Sequence, residues 1–224
     1  MNNTVDEVRK DKSRLRYSAV SAAYFVGLIW LTWLIDFVFN LALQRFGIYP
    51  RTLDGLVGIL MAPLIHSSFA HLFSNTLPLL ILGAAFLYAY PKSARIGIPA
   101  IYIGSGLGVW LFARSSYHIG ASGLNHGMMF YLFVIGILRR DRLSMAVSMV
   151  VFFLYGGMVW GIFPAKAGIS FEYHFFGALL GVCFAVILRN FDVPRLEKRY
   201  DWETEPEDRE DHVTGEEWRK EEDR

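Results

Sequence analysis

An all-α membrane protein crossing the bilayer six times is the fold that this sequence predicts, and three observations predict it. The first is composition: of 224 residues, 54% are hydrophobic and 16% aromatic, and the mean hydropathy is +0.32, far too apolar for a soluble domain of this length. The second is that the apolar residues gather into runs long enough to cross about 30 Å of hydrocarbon. The third is that charge collects between those runs and at the two ends, leaving a formal net charge of +1 and no large basic surface for nucleic acid.

The first run extends from Ser18 to Leu43, behind a basic segment, residues 1–17, that carries Arg9, Lys10, Lys12, Arg14 and Arg16. It is too long, and too poor in small residues at a cleavage site, for a signal peptide, and is read as a retained helix. Asp36 falls in its second half and is read as interfacial, since an ionised carboxylate at the membrane centre is costly. Gln44 to Ser68 breaks the pattern with Gly47, Pro50, Gly55, Gly58 and Pro63, and is read as a loop in or on the membrane surface. The second helix runs from Phe69 to Tyr90, and the third from Ile96 to Ala113 with a face of small residues. The fourth runs from Ala121 to Leu138 and ends in the cluster Arg139, Arg140, Asp141, Arg142. The fifth covers Met145 to Ile162 and the sixth Glu172 to Leu188, so the membrane domain is residues 18–189. Residues 190–224 are dense in charge and poor in aliphatics, which predicts a solvated, disordered tail.

Six crossings place the basic clusters before the first helix, around Lys92 and Arg95, at Arg139 to Arg142 and after Arg189 on one side, and the positive-inside rule then puts both termini in the cytoplasm. Cys183 is the only cysteine and lies in an apolar run, so no internal disulfide can form.

With that topology the second, fourth and sixth helices all begin at the outer face, and each begins with its unusual polar residues. The second opens with His71 and Asn75, one turn apart on one face. The fourth opens at Ser122, within Gly120-Ala121-Ser122-Gly123, and the sixth at His174. Gly123 and Gly127 on the fourth and Gly177 and Gly181 on the sixth are both spaced by four, the pattern of close helix contact. If those faces meet, Ser122 and His174 are neighbours, and a histidine beside a serine hydroxyl can take its proton. His71 and Asn75 are then placed to donate to an oxyanion, with the backbone N–H of Ser122. Glu172 is two residues from His174 and points to another face, so the chemistry runs on a dyad. Each signal has a structural reading as well. Gly-x-Ser-Gly is ordinary at helix contacts, and His71, Asn75 and His174 can be buried hydrogen-bonding groups. His66, His71 and His174 lack the spacing and the completing ligand of a metal set. His118 and His212 read as loop and tail residues.

His71-xxx-Asn75, Gly120-Ala121-Ser122-Gly123 and His174-xx-Gly177-xxx-Gly181, in that order, resemble the rhomboid intramembrane serine proteases, over roughly Leu56 to Leu188. The resemblance implies a Ser122 nucleophile, His174 as general base and acid, and an oxyanion site at His71 and Asn75 with Gly120 in the adjoining loop. It implies a structural role for His66, a cap over the site from Phe163 to Phe171, and cleavage of membrane-anchored proteins near the outer interface without metal or cofactor. The Trp-Arg pair common in the first long loop is absent, with Pro50-Arg51 the nearest feature. His126 stands where Tyr or Phe usually stacks on the catalytic histidine, and Tyr173 where a small residue is common. The expected function is serine endopeptidase of transmembrane substrates in the lipid bilayer, with a catalytically silent membrane-protein binder as the alternative. A transporter would show inverted repeats or helices broken at mid-membrane, and neither is visible. No transit peptide is recognisable, which favours a bacterial inner membrane.

Overall fold

The computed structural model describes residues 2–164 and 168–192, with side chains from Val8 onward. Seven α-helices account for most of them: α1 (Asn2–Phe39), α2 (Leu53–Met61), α3 (Phe69–Ala89), α4 (Pro91–Phe112), α5 (Ser122–Arg139), α6 (Arg142–Tyr155) and α7 (Phe171–Ile187). Lys166, His212 and the charged tail beyond residue 192 lie outside the described residues.

Several boundaries differ from the sequence reading, three of them for identifiable reasons. The basic segment is not separate from the first helix, because α1 begins at Asn2. Charged residues are adequate helix formers, and no Pro or Gly interrupts the chain before Gly27. Near that end, Tyr88 donates to Asp11 at 3.2 Å and Arg14 lies 5.5 Å from the Tyr88 ring centroid. The stretch read as a surface loop contains α2, capped by Thr52, whose side chain accepts from the Gly55 N–H at 3.2 Å. The glycines that look like breakers there are points of contact, since a Cβ on Gly58 would strike the Gly47–Ile48 backbone and one on Gly55 the backbone of Tyr49. The third boundary is α4, which starts at Pro91. Its first turn is capped by Asp192, a hundred residues on, which accepts from the N–H groups of Lys92 and Ser93 at 3.0 and 2.8 Å and from the Ser93 hydroxyl at 2.7 Å.

The other end of α4 is closed by Arg51, which stands in the left-handed region at φ 60° and donates to the carbonyls of Leu111 and Ala113 at 3.3 and 2.9 Å. With the Trp110 indole donating to the Thr52 carbonyl at 2.8 Å, this fastens the α2 segment to α4. Asp36 caps the turn that leaves α1, accepting from the Leu43 N–H at 3.0 Å.

Among the described residues, four helical segments are long and apolar enough to cross a membrane: Val8–Phe39, Phe69–Ala89, Pro91–Phe112 and Arg142–Ile162, the last made of α6 and the 3-10 turn Gly156–Ile162. α5 and α7 fall outside that set, one opening with a polar stretch and the other only 17 residues long. α5 can afford its polar residues because it packs against α3, α4, α6 and α7, and every residue from Gly123 to Met129 is buried.

Candidate active site

Ser122 is the first residue of α5, delivered by a turn in which Gly120 adopts φ 104°, a conformation that favours glycine, while its N–H donates to the Ala62 carbonyl at 2.8 Å. His174 sits in the first turn of α7, whose start is capped by the Ser170 hydroxyl. Its Nε2 lies 2.8 Å from Ser122 Oγ. The glycine pairs explain the proximity: a Cβ on Gly177 would fall on the Gly123 carbonyl and one on Gly181 on the Gly127 carbonyl, so the α5 and α7 backbones touch. Tyr173, buried, lays its ring against Gly123 on the same seam, where a Cβ on Gly123 would strike it.

His71 and Asn75 open onto the same cavity, of about 730 Å³, as Ser122 and His174. A Cβ on Gly120 would come within 2.5 Å of His71 Nε2, so the glycine is what lets that imidazole edge reach the Ser122 loop. Ser67 Oγ lies 3.3 Å from His71 Nδ1, and in the tautomer in which the hydroxyl donates to that nitrogen, the imidazole hydrogen is on Nε2, the edge beside Gly120. The Asn75 amide donates to the His71 carbonyl at 3.0 Å.

His126 stacks on His174, with ring centroids 4.0 Å apart and planes 9° from parallel, and its two ring nitrogens lie 2.7 Å from the Ser122 carbonyl and 3.1 Å from that of Met158. An imidazole thus fills the aromatic place beside His174. Glu172 is turned away and paired with Arg114 at 3.4 Å. Among the described residues, no three His, Cys, Asp or Glu side chains converge as metal ligands would.

Three groups have a part in the site that the sequence does not show. Asn125, 1% exposed, donates to Asn75 Oδ1 at 3.0 Å and so orients the Asn75 amide; its position three residues after Ser122, on the same helix face, was the available signal. The Gly161 carbonyl lies 2.9 Å from His174 Nδ1, and a backbone oxygen leaves no mark in sequence. His118 is a loop residue, as its context suggested, but a buried one: its ring lies 2.6 Å from Ser170 Oγ and 3.0 Å from the Arg114 carbonyl, bracing the start of α7, and burial pushes its pKa down.

His66 packs beside His71 with ring centroids 4.9 Å apart, 2% exposed, outside the apolar spans. Burial, reinforced by the neighbouring His71, lowers its pKa from 6.5 to about 4. The unfolded chain therefore takes up this proton first as pH falls, so the stability tied to neutral His66 is complete above pH 6.5 and is lost between 6.5 and about 4. The loss should be on the order of 3 kcal/mol. His66→Phe should flatten thermal unfolding against pH across that window, and an unchanged slope would assign the acid sensitivity elsewhere.

Residues 54–191 match the Rhomboid domain family model, a span that runs from the start of α2 past the end of α7 and contains every group described above from His66 to His174. The chain belongs to the rhomboid family. An uncharacterized protein of Mycobacterium tuberculosis is 38% identical over 173 residues, covering 73% of this rhomboid and 72% of the relative. An uncharacterized protein of Mycobacterium leprae is 36% identical over 188 residues, covering 78% and 74%. With its apolar helices, this rhomboid is a multi-pass membrane protein.

Proposed function

We propose that this rhomboid is an intramembrane serine endopeptidase that hydrolyses peptide bonds of transmembrane proteins near the outer membrane interface. The observation that carries the reading is the 2.8 Å approach of His174 Nε2 to Ser122 Oγ within a cavity that His71 and Asn75 also line. Ser122 Oγ attacks the scissile carbonyl carbon as its proton passes to His174 Nε2. The oxyanion meets donors from His71 Nε2, the Asn75 amide and the Ser122 backbone N–H. Collapse returns the proton from His174 to the leaving amine, and water, activated by His174, then releases the acyl group from Ser122. No step calls for a metal or cofactor.

The membrane domain, residues 18–189, crosses six times with α5 and α7 as the two remaining crossings, both termini cytoplasmic, and the membrane is a bacterial inner membrane. Hydrogen bonds support one shared cytoplasmic end: Asp192 joins the α3–α4 turn, and the Arg139 guanidinium donates to the Asp192 carbonyl at 2.6 Å. Lys92 and Arg95 at the start of α4, the bases Arg139 to Arg142 between α5 and α6, and Arg189 just after α7 thus share one end, opposite Ser122.

The test is labelling of the purified protein by a fluorophosphonate, with the adduct mapped by mass spectrometry. A single adduct on Ser122 is expected. No adduct on folded protein, under conditions that label an active rhomboid, would overturn the reading.

A further inference from the structure

The 3-10 turn Gly156–Ile162 offers two backbone carbonyls to two stacked imidazoles: Gly161 O to His174 Nδ1 at 2.9 Å, and Met158 O to His126 Nε2 at 3.1 Å. A carbonyl oxygen only accepts, so neutral His174 carries its hydrogen on Nδ1 and turns the Nε2 lone pair toward Ser122 Oγ. In a triad that tautomer is set by a carboxylate, which also stabilises the imidazolium. Here the nearest acid, Glu172, is taken by Arg114.

Resting on the dyad reading above, the geometry points to the Gly161 carbonyl as the third member: a positioning group, supplied by backbone, that fixes the His174 tautomer and stabilises the imidazolium formed when Ser122 gives up its proton. The turn has no room for a side chain at this point, since a Cβ on Gly161 would come within 2.9 Å of His126 Nε2 and 3.1 Å of His174 Nδ1. A neutral dipole suits a buried dyad, because a third-member carboxylate would have to be desolvated there. It also makes the dyad conditional, since the base is correctly protonated only while this turn is seated. One residue away Trp160 is 74% exposed and tilts toward exposed Phe163, so the segment holding the carbonyl has its other side on the protein surface.

Among the described residues, the ionisable groups facing this cavity with His174 are His126 from α5, His71 from α3, Tyr155 from α6, Tyr117 and His118 from the α4–α5 loop, and Arg114, which pairs with Glu172 on the helix of His174. None of them changes when the peptide bond after Gly161 is made an ester, by placing the α-hydroxy analogue of isoleucine at position 162 of the full-length protein. An ester carbonyl is a weaker acceptor, so kcat should fall about tenfold with KM unchanged. The acid limb of kcat/KM should move to lower pH, because the imidazolium has lost its partner. The control is glycolic acid at position 161, which weakens the Trp160 carbonyl instead and should leave the acid limb in place. An unchanged kcat and acid limb in the 162 ester, with Ser122 still labelled by fluorophosphonate, would overturn the role of Gly161 and leave the dyad standing. Absence of labelling in the unmodified protein would remove the dyad itself. Should the ester protein fail to fold, the ¹⁵N histidine spectrum of the unmodified protein decides: His174, assigned by its loss in His174→Gln, should carry its hydrogen on Nδ1, and an Nε2–H form would refute the proposal.

Discussion

Ser122→Ala is expected to lower cleavage of a purified transmembrane substrate in liposomes by about 10⁴-fold or more, while leaving stability within about 1 kcal/mol of wild type. The rate effect is large because the nucleophile has no substitute, and the remaining oxyanion donors cannot create a covalent route. The stability effect is small because the hydroxyl contributes a single side-chain hydrogen bond, to His174 at 2.8 Å. His174→Ala should remove activity equally but cost more stability, since it also empties a buried space and strands the Gly161 carbonyl. The measurements are turnover of the reconstituted protein and thermal unfolding in detergent. Cleavage by folded Ser122→Ala at a rate near wild type would end the mechanism, whatever the dyad distance.

The second large effect concerns a residue with no side chain. Gly177→Val should abolish cleavage and cost at least about 3 kcal/mol, because the new atoms occupy the volume of the Gly123 carbonyl and α7 must move away from α5. Separation by even 1 Å carries His174 Nε2 out of hydrogen-bonding range of Ser122 Oγ. Gly27→Ala is the matched control: nothing lies within 4 Å of its Cβ position, and a helix gains from alanine. An active Gly177→Val as stable as Gly27→Ala would show that the glycine seam does not hold the dyad together.

The glycine seam was legible because spacing alone encodes it: two Gly-xxx-Gly pairs on two apolar runs imply faces that meet, and Ser122 and His174 follow by position. The α3 start at Phe69 was legible for a similar reason, since the polar stretch before it gives way to an apolar run at one place. Contacts that depend on where a distant segment returns were not. Asp192 lies a hundred residues from the α4 turn that it caps, and the Gly161 carbonyl belongs to no residue type. α2 was hidden by glycines, which mark turns and close backbone approaches alike, and only the Gly47–Ile48 strand of chain lying against Gly58 distinguishes the two. His118 shows the converse: a loop address correctly assigned, with burial that only the pairing of Ile48 with His118 reveals.

The enclosure of α5 has a bearing on how the molecule is made. Four segments are apolar enough to partition into lipid on their own, whereas α5 carries Ser122, Asn125 and His126 in its first five residues and α7 is short. Left alone in hydrocarbon, those polar groups would be unsolvated at a cost of several kcal/mol. Biogenesis should therefore be ordered: the autonomous segments enter first and form a shell, and α5 leaves the translocation machinery only as neighbouring helices arrive to shield it. Ser122 and the polar groups behind it are thus the very groups that delay assembly, and they reach the bilayer as the interior of a protein.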